Sequence, residues 1–218
     1  MFTERSLGIR NADDVHAECQ RLLRRGVAAG MRVLDVGCGD GALIAALRDE
    51  VGADVVGIEI DPALVKTAQA ANLDVRLGRA EALPIAASSV DIVLCSVVVP
   101  YTDQRVAVRE WARVLRPGGA VNATYHGPGY GLHYLLAPPE GWRSQVYGAR
   151  MLLNTAVYVS SGRRLPGFVG DTLCQTQRAM ERASADAGLV VEHSQVVDRT
   201  LGTSRILFHG LRKSAETR

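Results

Sequence analysis

Short, unbroken runs of Val, Ile and Leu alternate along this chain with segments whose apolar residues recur every three or four positions. The runs are MRVLDV (31–36), DVVGIEI (54–60), DVRLG (74–78) and VDIVLCSV (90–97), continuous enough to read as strands buried on both faces. Between them lie helical segments. One covers 11–29, opens at Asn11 or Asp13, and sets Val15, Cys19, Leu22 and Leu23 on one face. Another runs from Asp40 to about Glu50, and a third starts at Pro62, whose missing N–H suits a first helical turn. A helix over about 102–115 carries Val106, Trp111, Val114 and Leu115, stops at Pro117-Gly118-Gly119, and gives way to a strand at AVNATY (120–125).

This alternation predicts an α/β fold: a three-layer α/β/α, doubly wound arrangement around a mostly parallel sheet. The rhythm breaks over 126–170, where HGPGYG, APPEG and SGRRLPG surround a helix at about 145–159. An amphipathic helix over 171–187 then ends at Gly188. Two closing strands, LVVEHSQVV (189–197) and SRILFHGL (204–211), are near enough in sequence to pair antiparallel at one sheet edge, which makes seven strands with an antiparallel last one. The expected organisation is an N-terminal helical cap (1–30) and one α/β domain (31–218) that holds 126–170 as an insert after strand five.

The chemistry concentrates first in VLDVGCGDG (33–41): a buried strand, glycines at 37, 39 and 41, then a helix. Glycine suits places where the chain turns sharply from strand to helix and where backbone must approach a ligand. Asp35 precedes the first glycine by two residues. The next strand ends in Glu59, where a carboxylate can accept from both hydroxyls of a ribose. Gly37, Gly39 and Ala42 also fit the GxGxxA of a nicotinamide-dinucleotide site, but Asp35, the LRPGG turn and the paired final strands weigh against that reading.

Four strings in order, VLDVGCGDG, GIEID, GRAEALPIAASSVDIVLCSVVV and REWARVLRPGG, resemble the class I S-adenosylmethionine-dependent methyltransferases over about 30–125 and in the final strand pair. The resemblance implies S-adenosyl-L-methionine as cofactor and S-adenosyl-L-homocysteine as product. It implies that Asp35 and the backbone of Gly37, Cys38 and Gly39 hold the amino acid end, with Gly41 easing entry to the helix. Glu59 would bind the ribose diol, Ile60 would lie against adenine, and the Ala80 N–H would pair an adenine nitrogen. Cys95, Ser96 and Val97 would line the methionine portion. Arg79 stands where the family has an aspartate that accepts from the adenine amino group, and arginine cannot accept; Glu81 or a backbone carbonyl would take over.

Methyl transfer needs alignment, exclusion of water and, for some nucleophiles, a base. The loop after strand four, CSVVVPYTD, lacks the [DNS]PP[YFW] signature of enzymes that methylate exocyclic amino groups. Ligands of such folds sit at the carboxyl ends of the strands. His126 is therefore the first candidate base, Tyr101 the second, and Tyr125, Tyr130, His133, Trp142 and Arg143 the candidate substrate contacts.

Composition adds one feature to this picture. The chain of 218 residues has a net charge of +2 and only 5% aromatics, yet Tyr125, Tyr130, Tyr134, Trp142, Tyr147, Tyr158 and Phe168 all fall between 125 and 168. Arg143, Arg150, Arg163 and Arg164 stand there against the single acid Glu140. Such a segment suits a lid over a small molecule with a cyclic or anionic body; equally, Tyr147, Leu152, Leu153 and Tyr158 can pack as the insert's own small core or as a contact between two copies of the chain in a homodimer. Near-neutral charge disfavours nucleic acid as partner. No apolar run is long enough to span a membrane, no leader is apparent, and Cys19, Cys38, Cys95 and Cys174 form no CxxC pair, so a cytoplasmic protein without disulfides or structural metal is expected. Two readings stay beside the small-molecule enzyme: an RNA or protein methyltransferase, and a cofactor-binding module without catalysis.

Overall fold

The computed structural model describes residue 6 and residues 8–139, 141–165 and 172–215. The apolar runs form one seven-stranded sheet: β1 (Arg32–Val36), β2 (Asp54–Glu59), β3 (Val75–Leu77), β4 (Val90–Ser96), β5 (Leu115–His126), β6 (Leu189–Thr200) and β7 (Thr203–Lys213), in the order β3-β2-β1-β4-β5-β7-β6. The first five strands pair in parallel, and β7 is antiparallel to both β5 and β6. This is the expected doubly wound arrangement.

The helices are α1 (Ala12–Leu23), α2 (Ala42–Ala46, continued by a π-helical turn over Leu47–Val51), α3 (Pro62–Ala70), α4 (Gln104–Val114), α5 (Pro128–Leu136), α6 (Trp142–Ser161) and α7 (Gln177–Asp186). Both sheet faces are covered, which is why the central strands carry apolar residues without alternation. On one face Val108 and Trp111 of α4 and Met180 and Ala183 of α7 pack on Leu34, Val93 and Val121. On the other, Ile44, Leu47, Val65 and Ala68 pack on Val33, Ile92 and Leu94. Trp111 is fully buried, and its truncation to Ala would cost about 3–5 kcal/mol. Side-chain caps start the helices where expected: Asn11 accepts from the amides of Asp13 and Asp14, Asp61 from Ala63, and Asp103 from Arg105 and Val106.

Four expectations change. LRPGG is not merely a turn. It is the first part of β5, where Leu115 pairs with Val90 and Ala120 with Ile92, so the surplus residues form a bulge. The glycine-rich stretch after β5 winds into α5. Helix α6 starts three residues earlier than the pattern suggests, and α7 starts at Gln177, capped by Thr176; Glu140, Phe168 and the expected helix start at Asp171 lie outside the described residues. The expected N-terminal cap helix, α1, packs on the sheet. Val15 and Leu22 pack on Val197 and Phe208, and the Asn122 side chain of β5 donates to the carbonyls of Leu23 (2.9 Å) and Arg25 (2.7 Å).

Candidate active site

At the carboxyl ends of β1, β2 and β4 a cleft of about 350 Å³ is lined by Gly37, Glu59, Ile60, Ala80, Glu81, Ser96, Val97, Val98, Tyr101 and Thr102, among others. That is within the roughly 300–1,000 Å³ of small-molecule and cofactor sites.

The glycine turn forms one wall. Gly37 has φ +73°, and a Cβ there would lie 2.1 Å from Val98 Cγ2. Gly41 has φ +85° and would drive a Cβ to 2.5 Å from Leu73 Cδ1. Both positions therefore demand glycine. The amides of the turn are spoken for: Gly37 and Cys38 both donate to the carbonyl of Ile58 (2.7 and 3.2 Å), and Gly39 donates to Glu59 Oε2 (2.9 Å). These bonds occupy N–H groups of the backbone that is expected to hold a ligand's amino acid end. What the turn offers is bare backbone, since a Cβ at Gly39 would meet nothing within 4 Å.

Glu59 closes the floor. Its Oε1 accepts from the amides of Ile60 (2.8 Å) and Asp61 (3.0 Å). With Gly39 on Oε2, three of about four acceptor positions on the carboxylate are used, and the remaining one can take a ligand hydroxyl. Ile60 beside it is 58% exposed, an apolar surface that lines the cleft. The far wall carries Ala80 and Glu81, whose Oε1 accepts from the Asp103 amide (3.1 Å) and whose Oε2 lies 3.8 Å from Arg79 Nε. Arg79 itself points largely into solvent.

Two expected cofactor residues lie beneath the cleft rather than in its lining. Asp35 is buried in β1, and burial, with a smaller contribution from the Glu59 charge, pushes its carboxyl up to about 7. Cys95 is fully buried in β4, its thiol pushed up to about 12 by burial, so it is a core filler and not a pocket wall. The next two residues do reach the cleft. Val97 has φ +57°, a strained conformation for a β-branched residue that costs of order 1–3 kcal/mol. Its amide donates to Thr124 O at 2.9 Å.

The insert and the residues that follow it bond the loop after β4 and the end of β5. Leu173 N–H donates to Pro100 O (2.9 Å), Gln175 N–H to His126 O (2.8 Å), and Arg164 to Thr102 O. The insert's aromatics form a continuous file. His126 stacks on Tyr130 at 3.6 Å, Tyr130 meets Tyr134 at 5.1 Å, Tyr134 meets Tyr147 edge-on at 5.2 Å, and the Tyr147 hydroxyl bonds Thr172 Oγ1 at 2.8 Å. Tyr101 ends the file at the cleft, 56% exposed, its hydroxyl held above the usual tyrosine range first by burial and then by Tyr147.

Several candidates are thereby corrected. His126 is buried under Tyr130, outside the cleft lining, and burial together with the Arg205 charge pushes its imidazole down to about 3, leaving a weak base. Tyr125 points to the opposite sheet face, where its hydroxyl meets His209 Nδ1 at 2.6 Å in the core. His133 is buried edge-on to Tyr134. Trp142 is 69% exposed on the outer side of α6, with the Arg143 guanidinium 5.8 Å over its ring. Tyr130 belongs to the file and lies outside the cleft lining. Val98, which fixes Gly37, and Thr102, which receives Arg164, are the functional positions that residue type alone did not reveal.

Residues 34–122 match a family model described as a methyltransferase domain. An uncharacterized methyltransferase of Mycobacterium tuberculosis is 39% identical over 101 residues, 45% of this chain and 41% of that protein. A ubiquinone biosynthesis O-methyltransferase of Xanthomonas oryzae pv. oryzae is 37% identical over 99 residues, 42% of this chain and 41% of that one. The matches thus span about two fifths of these relatives' length. A methyltransferase solved in complex with the Haloferax volcanii Trm112 methyltransferase activator shares the fold at a TM-score of 0.68 and 22% identity, over 93% of this chain and 91% of that one.

Proposed function

We propose that this chain, which carries a class I S-adenosylmethionine-dependent methyltransferase domain, transfers the methyl group of S-adenosyl-L-methionine to oxygen or nitrogen of a small metabolite, in the cytoplasm and in the service of a biosynthetic route. The observation that carries the reading is Glu59, set with one free acceptor position between the bare glycine turn and the exposed face of Ile60. The residues fit the cofactor: Glu59 would take a hydroxyl of the ribose diol, Ile60 the adenine face, the Ala80 backbone an adenine nitrogen, and the Asp35 charge the ammonium of the methionine part.

When bound, the cofactor supplies an electrophilic methyl group on a sulfonium. The chain's part is alignment and exclusion of water. Ser96 and Val97 border the cleft, Arg164 and Leu173 bond the loop after β4, and Tyr101 presents a hydroxyl to whatever lies beyond. With His126 buried and weakly basic, the acceptor arrives ready to react or gives its proton to water near Tyr101. The O-methyl chemistry in the name of the Xanthomonas relative supports a small-molecule acceptor. One observation favours a second reading, action on RNA or protein together with a partner: the structural neighbour bound to an activator. The cleft wall argues against it, since Arg79 is balanced by Glu81.

The test is transfer of labelled methyl from S-adenosyl-L-methionine by the full chain to a cell extract separated into metabolites, RNA and protein. Label among metabolites is expected. Label confined to RNA or protein would replace this reading with the second one, and calorimetric binding of S-adenosyl-L-homocysteine without any transfer would indicate a non-catalytic module.

A further inference from the structure

Helix α6 is inside out. Its buried positions are Ser144, Gly148, Met151 and Asn154, mostly small or polar, whereas Trp142, Val146, Leu153 and Val159 face outward at 69%, 46%, 58% and 71% exposure. A helix on a globular surface does the reverse. It cannot correct this by rotating, because a Cβ at Gly148 would lie 2.6 Å from Gly131 O, so α5 and α6 touch backbone to backbone.

The outward residues have a regular spacing. Trp142, Val146, Ala149, Leu153, Ala156 and Ser160 follow one another at alternating steps of four and three, all of them exposed. That is the a/d repeat of a coiled-coil seam, a narrow stripe suited to one facing helix. Small residues at Ala149 and Ala156 leave room for a close neighbour. No acidic residue occurs on the helix, and its only charged side chains are Arg143 and Arg150.

We infer that α6 is a dimerisation seam whose occupant is α6 of a second copy of this chain. A seam of this kind is self-complementary, and twenty residues give about 30 Å of helix, length enough for a pair with its flanks to pass the roughly 1,000 Å² that separates a specific interface from chance contact. A lipid surface fits less well. It favours an apolar face of 100° or more flanked by cations, and here Arg143 lies over Trp142 on the stripe itself. The inference is independent of the proposed reaction, since no residue of the seam lines the cleft.

The experiment is light scattering of the full chain at micromolar concentration. Twice the 23.4-kDa chain mass is expected, falling to the monomer in Val146→Glu/Leu153→Glu, with the dimer dissociation constant raised at least tenfold and S-adenosyl-L-homocysteine affinity retained as proof of folding. A monomeric wild type, or a dimer indifferent to the double substitution, overturns the inference. A photo-crosslinking amino acid at position 153 guards against misfolding: it should give a dimer joined α6 to α6, and one at exposed Arg109 on α4 should not. Absence of the α6 product overturns the seam, and so does binding of a monomeric wild type to phosphatidylglycerol vesicles, which would assign the face to lipid.

Discussion

The Gly39 amide donates to Glu59 Oε2 at 2.9 Å, so the turn after β1 is pinned by the carboxylate that ends β2. One side chain thereby shapes the glycine wall and faces the ligand, and the two roles separate by substitution. Glu59→Gln keeps an acceptor for the Ile60 and Asp61 amides but loses charge; Glu59→Ala strands three amides, each bond to a charged acceptor being worth about 1.5–3 kcal/mol. Both variants should bind S-adenosyl-L-homocysteine at least tenfold more weakly by calorimetry, and Glu59→Ala, which strands all three amides where Glu59→Gln strands that of Gly39, should lower the melting temperature more. Wild-type affinity in Glu59→Ala would remove Glu59 from the site.

Gly37 and Val98 form a second dependent pair, because the glycine is required on two grounds. Gly37→Ala meets both the φ of +73° and the Val98 Cγ2 contact at 2.1 Å. Adding Val98→Ala relieves the contact and leaves the dihedral. Gly37→Ala should abolish cofactor binding, and the double variant should regain part of it. Identical behaviour of single and double variants would mean that the dihedral alone sets the requirement.

These pairs mark how far the sequence could be read. The strands, the glycine turn and the acid ending β2 were legible because each rests on local pattern: continuous Val, Ile and Leu runs, glycine between strand and helix, acid at strand end. Side-chain direction at the end of β5 was not. Strand position puts Tyr125 and His126 near the carboxyl rim, yet alternation sends one into the core against His209 and the other under Tyr130. Helix α5 was hidden because its glycines argue against helix; it is held by packing, with Gly131 and Gly148 letting two backbones meet. The insert's aromatics read by residue type as ligand contacts or as a small core of their own, and Tyr130, Tyr134 and Tyr147 touch one another.

The end of that aromatic file supplies a prediction that separates Tyr101 from His126. With an accepted substrate, Tyr101→Phe should lower kcat by about tenfold or raise KM while sparing cofactor affinity, since only the cleft-facing hydroxyl is lost. His126→Phe keeps a ring to stack on Tyr130 and should retain turnover within threefold. A drop of a hundredfold or more in His126→Phe would restore it as the base and require the aromatic file to open during turnover.

The buried carboxyl of Asp35 predicts two pH dependences with definite signs. Its group titrates at about 7 in the folded chain, mainly through burial and secondarily beside Glu59, against about 3.9 when unfolded. The unfolded chain therefore releases the proton first. Native stability tied to this group is fully present below about pH 4 and is lost as pH rises towards 7, because above that an uncompensated charge is buried. Asp35→Asn removes the titration, so its gain in melting temperature over wild type should grow from pH 4 to pH 7 and then level off. The cationic ammonium of the cofactor supplies the missing compensation and favours the ionised form. Wild-type affinity for S-adenosyl-L-homocysteine should thus weaken by up to tenfold per unit as pH falls below about 7, whereas Asp35→Asn should bind weakly at every pH from 5.5 to 8. Calorimetry across that range decides the matter: a pH-independent affinity in the wild type would mean that Asp35 supports the strand from below without acting on the ligand's charge.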